Sequence, residues 1–321
     1  MRIILLASCL SQLAFGSIAA TIPEGATTQD VVSIVSNHID LVKTIDFEAD
    51  ITVTPRLGDK EYYRCRLVEN VEMGSYRFDL VLYDGPEHGR PVQYTVQFWD
   101  GRRQITWERT VTVKSSGAFP GDDECVPGEA VISSKRDISP RLAALFLNPL
   151  YQEKIVSSLR KESLRKEFHI GDYKSGLPFS IGSENIEVTI DPNNLRVTEM
   201  KFGTNAVNGK KYTMERVYFD KYEKSNDIDF PNFIKFVSNF GNGTRTEEVL
   251  VRRDSLKING DVSSILERLV LPPGCMVSDQ IQNRRYQIFN PEQIETAGKD
   301  LRRMLDKTIQ ESEEQKRQKG Q

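Results

Sequence analysis

Alternation of apolar and polar side chains with a period of two limits this chain more than any other feature. Phe47, Ala49, Ile51 and Val53 take turns with Glu48, Asp50, Thr52 and Thr54. Only a strand with one dry face and one wet face has that period. The pattern returns in Tyr63, Cys65 and Leu67, in Tyr76, Phe78, Leu80 and Leu82, and in Val92, Tyr94, Val96 and Phe98. Asp100-Gly101, Asn208-Gly209 and Asn242-Gly243 supply the positive φ angles of short hairpin loops, so neighbouring strands are expected to pair antiparallel. The chain reads as a meander, not a succession of βαβ units.

Helical spacing interrupts the strands in few places. Val31, Ile34, Val35, Ile39, Leu41, Val42 and Ile45 recur near helical spacing and predict an amphipathic helix over 29–44. Ser139-Pro140 offers an N-cap and a first-turn proline for a short helix carrying Leu142, Leu145 and Phe146, which Pro149 breaks, and a basic helix is expected over 151–164. Strands resume at Phe168 and continue through 186–190, 197–202, 212–222, 233–240 and 246–252. From Pro291, Ile294, Ala297, Leu301, Met304 and Leu305 fall at three- and four-residue spacing among charges. That spacing predicts a charged amphipathic helix fraying after Glu311, too short in heptads for a coiled coil.

Met1-Arg2, the apolar run Ile3–Phe15 and the small residues 17–20 read as a secretory leader. The run is shorter than the ~20 residues of a membrane span. The chain is therefore expected to be exported, to a periplasm or its equivalent, and to lack a lipid anchor at Cys9. Cys65, Cys125 and Cys275 remain, allowing at most one disulfide, with no spacing that selects a pair. A net charge of -3 with 28% charged residues excludes a basic nucleic-acid-binding domain. The expected division is a leader over 1–20, a β domain over 21–285 and a helical tail over 286–321.

No catalytic constellation can be assembled. His38, His88 and His169 have no paired spacing, and there is no P-loop or G-x-S-x-G. Gly241-Asn242-Gly243 reads as a turn, and Asp122-Asp123-Glu124 as a solvated loop without calcium-ligand spacing. The expectation is a non-catalytic protein with no metal and no cofactor.

One-faced strands pose a burial problem: the apolar face must meet a second sheet, a helix or a ligand. A curved sheet closing partly around short helices solves it. Either a cavity remains at the mouth, or Phe78, Tyr94, Phe98 and Trp107 fill the core.

Several collinear segments resemble the LolA-type periplasmic lipoprotein-carrier superfamily. They are Ile45-Asp46-Phe47-Glu48-Ala49-Asp50-Ile51 after the opening helix, Met73-Gly74-Ser75-Tyr76-Arg77-Phe78, the hairpin from Asp100-Gly101 to Trp107, Ser139-Pro140 with the following leucines, Ile186–Pro192 with Val197–Met200, and Leu271-Pro272-Pro273-Gly274-Cys275-Met276-Val277-Ser278-Asp279. The resemblance implies a mainly β (α+β) fold: a curved antiparallel sheet forming an incomplete barrel over short helices, plus the C-terminal helix. It implies carriage of lipid or lipoprotein acyl chains. The concave face would be lined by Ile51, Val53, Phe78, Leu80, Leu82, Tyr94, Val96, Phe98 and Trp107, and the lid would carry Leu142, Leu145 and Phe146. The implied partner is a lipid or an acylated lipoprotein. Where many members have Arg-Pro this chain has Met73-Gly74, so the arginine that holds the family's lid does not transfer. Segments 115–138, the 230–254 hairpin and the tail read as additions to a minimal carrier. The competing reading is an envelope regulatory or protein-interaction module on the same fold; the residues after Asp279 are too few for the second domain of the superfamily's two-domain sensors.

Overall fold

Eleven residues, Thr44–Thr54, form strand β1, and its inward side chains Ile45, Phe47, Ala49, Ile51 and Val53 are all buried. The computed structural model describes residues 30, 42–86, 89–112, 119–120, 125–135, 169–170, 178–182, 186–191, 193, 196–207, 210–226, 228–240 and 243–319. Within them follow β2 (Glu61–Asn70), β3 (Ser75–Tyr83), β4 (Pro91–Trp99), β5 (Gln104–Thr110), β6 (Glu129–Ser133), β7 (His169–Ile170), β8 (Phe179–Gly182), β9 (Ile186–Asp191), β10 (Arg196–Val207), β11 (Lys210–Ser225), β12 (Ile228–Phe240) and β13 (Gly243–Val251). A 3-10 turn (Arg253–Ser255) leads to β14 (Lys257–Ile258), the short helix α1 (Ser263–Leu266), the hairpin β15 (Met276–Asp279) and β16 (Arg284–Gln287), and helix α2 (Pro291–Lys319).

These strands make one sheet ordered β16-β15-β6-β5-β4-β3-β2-β1-β13-β12-β11-β10-β9-β8-β7, with β14 also paired to β1. Among the described residues the sheet is open, with β16 and β7 at its edges. The expected meander holds within 44–133 and 169–251, where every pairing is antiparallel. Hairpins close where Asp100-Gly101 and Asn242-Gly243 were expected to turn; Gly101 has φ 91°, and Phe240 pairs with Gly243.

Four expectations need revision. Residues 230–254 are no peripheral addition: β13 pairs with β1 from Ala49↔Val251 to Thr54↔Thr246 and joins the two meanders. The segment around Met276–Asp279 pairs with β6 in parallel, because it returns to the sheet after crossing its face. Thr44 opens a strand and does not end a helix, since the Asn259 side chain accepts from the backbone amides of Lys43 (2.7 Å) and Thr44 (3.4 Å). The tail helix does not fray after Glu311 but runs to Lys319. The opening helix beyond residue 30, both helices over 139–164, Leu142, Leu145 and Phe146 lie outside the described residues, as do Asp122-Asp123-Glu124. Among the described residues Cys65, Cys125 and Cys275 form no disulfide with one another, and burial pushes the Cys275 thiol up to about 11, which disfavours its thiolate.

The sheet buries different faces at its two ends. Paired residues share a face, which places Tyr76, Phe78 and Leu80 of β3 with Leu67 and Cys65 of β2 and with Phe47 and Ala49 of β1. This face forms the larger core, continued by Val249, Ile234, Phe236, Val217, Met200 and Val188. On β4, however, Tyr94, Val96 and Phe98 pair with Val81, Asp79 and Arg77 and so lie on the opposite face. They build a second core with Ile105, Trp107, Ala130, Ile132 and Val277, closed over by Leu266, Leu269, Leu271 and Ile288.

At the change of face the buried carboxylate of Asp79 is fully employed. It accepts from Arg77 Nε and NH2 at 2.9 and 3.0 Å and from the Tyr94 hydroxyl at 2.5 Å. The Arg109 guanidinium lies between the rings of Tyr94 and Trp107, 4.5 and 4.1 Å from their centroids. A buried charge is tolerated only with such partners. Phe47→Ala should cost about 3–5 kcal/mol, read as a lower urea midpoint at unchanged slope, whereas Leu57→Ala, at an exposed position, should stay within about 0.5 kcal/mol.

Candidate functional site

Following register from strand to strand reveals a continuous row on the larger core's face. Val53 of β1 pairs with Glu247 of β13, Glu247 with Phe236, Phe236 with Val217, Val217 with Met200 and Met200 with Val188 of β9. Five of the six side chains are apolar. A second row beside it runs Ile51, Val249, Ile234, Phe219. At roughly 4.8 Å per strand the first row crosses about 24 Å of sheet, longer than one leaflet of a ~30 Å hydrocarbon core. On this face the Phe47 and Phe230 rings, on β1 and β12, meet at 5.6 Å between centroids, at the level where β13 has ended.

Polar groups stand along one margin of the row. Glu215, Ser238 and Arg245 are paired in line across β11, β12 and β13, next to Glu247. Arg245 NH2 lies 2.6 Å from Glu247 Oε1, and the Ser238 hydroxyl donates to Glu215 Oε1 at 3.4 Å. Burial raises the Glu215 pKa above its usual range and the negative Glu247 adds to this, with the serine hydrogen bond opposing both. The cluster therefore offers a guanidinium, a hydroxyl and a carboxyl that holds its proton unusually well, all beside apolar side chains. Such a margin suits a molecule with an apolar chain and a polar head.

The opposite face carries a different opening. Where β13 leaves β1 at the Arg253–Ser255 turn, a cleft of about 760 Å³ is lined by Asp46, Glu48, Asp50, Arg66, Lys221, Glu223, Arg252, Arg253 and Lys257 among others. Asp46 is held by Arg66 at 2.9 Å and Glu223 by Arg253. Charges of both signs line this cleft, so it does not suit an acyl chain.

The residues expected on one concave face are thus divided. Ile51, Val53, Phe78, Leu80 and Leu82 share the larger core's face, Leu80 and Leu82 half-buried. Tyr94, Val96, Phe98 and Trp107 lie in the second core on the other side of the sheet. Leu142, Leu145 and Phe146 lie outside the described residues. The apolar row on β9–β13 and the Glu215–Arg245 margin were not singled out from sequence. Alternation in Val217-Phe219 and Ile234-Phe236 marks the strands, but only cross-strand register shows that their faces coincide. Among the described residues, no group of three or more His, Cys, Asp or Glu side chains could hold a metal ion, and no helix is long and apolar enough to cross a membrane.

No family model matches the chain, and no curated protein matches it. Among solved structures the chain is similar to a LolA superfamily protein from Nitrosomonas europaea, at 10% identity and TM-score 0.40 over 76% of this chain and 99% of that one. It is similar to a DUF1329 family protein from Desulfovibrio piger, at 11% identity and TM-score 0.42 over 76% and 98%. A third similar structure is an outer membrane lipoprotein-sorting protein domain from Vibrio parahaemolyticus, at 11% identity and TM-score 0.41 over 75% and 100%.

The raised Glu215 pKa sets a pH dependence. Between the ordinary value near 4.5 and its raised value, folded Glu215 holds a proton that the unfolded chain has released, so stability falls as pH rises through that window. Glu215→Gln should match the parent below the window and be the more stable of the two above it, in urea unfolding from about pH 4 to 7. Equal pH slopes for the two proteins would contradict the assignment.

Proposed function

We propose that this protein is an exported, non-catalytic carrier that binds the acyl chains of a lipid or lipoprotein along the apolar face of β1 and β9–β13, the sheet closing as an incomplete barrel over short helices. One observation carries the reading: the row from Val53 to Val188, apolar at five of six positions and bordered by Arg245, Ser238 and Glu215. The sequence resemblance to lipoprotein carriers points the same way. The five apolar side chains of the row are only 0–4% exposed, so an acyl chain would have to open this core to lie along it. Burying a whole ~16-carbon chain would contribute up to ~12 kcal/mol at about 0.8 per methylene, too tight for a carrier that must release its cargo. The cost of opening a packed core offsets part of this. The Arg245 guanidinium, half-buried beside Glu247, would receive an anionic head group.

Protein purified without detergent should yield lipid on solvent extraction and mass spectrometry, and should bind a fluorescent fatty acid. Arg245→Ala should weaken binding of the fatty acid about tenfold, the loss of one charge-assisted contact, and leave binding of the matching fatty alcohol unchanged. No extracted lipid together with no fatty-acid binding would sink the proposal.

A further inference from the structure

Helix α2 carries an apolar stripe that the carrier reading does not use. Leu301, Met304, Leu305 and Ile309 lie on one side of the helix, and each is more than half exposed. Gly298 sits in the same helix, where a Cβ would meet nothing within 4 Å. A glycine inside a helix costs about 1 kcal/mol relative to alanine, so a bare position there wants a reason. The helix holds seven acidic and seven basic residues, so two copies do not repel one another overall.

We propose that α2 pairs with α2 of a second copy as an antiparallel helix dimer in one register, Leu301 against Met304 of the second copy. Placing Leu301 and Thr308 at a positions and Met304 at d puts Asp300 and Lys307 at g, and Gly298 and Leu305 at e. In an antiparallel pair g faces g and e faces e. Asp300 then stands opposite Lys307 of the second copy, twice by symmetry. Leu305 covers the bare surface of the other copy's Gly298.

The alternatives are disfavoured by the same charges. Sliding one helix by a heptad in one direction sets Asp300 against Asp300; sliding it in the other sets Lys307 against Lys307. A parallel pair places Asp300 opposite Leu305 and Lys307 opposite Ser312, with no complementary charge. Asp300 already lies 3.8 Å from Arg303 on its own helix, an exposed contact that a second cation can join. The seam has only about four layers, so the dimer is weak and reversible, and salt weakens it further.

Sedimentation of the full-length protein at low salt, from micromolar to near-millimolar concentration, tests this. The expected result is a concentration-dependent monomer–dimer equilibrium that L301D abolishes. D300K and K307D should each weaken the dimer about tenfold by turning two attractive pairs repulsive. The double variant D300K/K307D should recover parental affinity, and an equimolar mixture of the two single variants should associate as a heterodimer. Circular dichroism checks that each variant keeps its helix. A protein that stays monomeric throughout overturns the proposal, as does a dimer for which neither the double variant nor the mixture is tighter than the single variants.

Discussion

Everything in this structure depends on β1 being paired on both edges. One edge meets β2, its neighbour in sequence, from Thr44↔Asn70 to Val53↔Glu61. The other meets β13, which arrives after the whole second meander has been laid down. Two side chains fix the join where β13 ends: Ser255 Oγ accepts from the Glu48 amide at 2.8 Å, across 207 residues of sequence, and Asn259 accepts from Lys43. Without that seam there would be two separate meanders, each with an apolar face open to water. The loop closed by the seam carries a large entropic cost, which non-local β pairing repays only when complete.

Burial on alternate faces follows from the sheet being single and wide. β1 to β3 send their apolar residues toward one side, while β4 to β6 and β15 send theirs toward the other. The transition runs through β3, where Leu80 points to one core and Val81 to the other. Burying charge there is possible because Arg77, Asp79 and Tyr94 satisfy one another, and burial together with the Asp79 charge pushes the Tyr94 phenol well above its usual range, keeping it a proton donor. The wet face of β1, with Asp46, Glu48 and Asp50, is matched by Arg64 and Arg66 directly across on β2.

Strand identity was legible in the sequence because a half-buried strand writes its period into the chain. Phe47 to Val53 and Tyr76 to Leu82 carry it plainly, and the turn glycine Gly101 falls where the pattern requires. What was not legible was which strand lies beside which. Nothing local in Glu247-Glu248-Val249 says that it pairs with Ile51 to Val53, so the hairpin of 230–254 looked peripheral while it is central. The same gap explains the division of the expected lining. The alternation of Tyr94, Val96 and Phe98 is as regular as that of Phe78 and Leu80, and a sequence cannot state that the two runs face opposite sides of the sheet. Arg245, Ser238 and Glu215 come together only through register, with separations that no motif spans.

The central claim is that the face of β1 and β9–β13, and not the second core, is where an apolar chain lies. A fatty acid bearing a photoreactive diazirine along its chain tests this most directly, by irradiation of the complex and mass spectrometry of the labelled peptides. The account predicts labels on peptides containing Met200, Val217, Phe236 and Val249, displaced by unlabelled fatty acid. Labels on peptides containing Tyr94, Phe98 and Trp107, or labels that excess fatty acid does not displace, would contradict it.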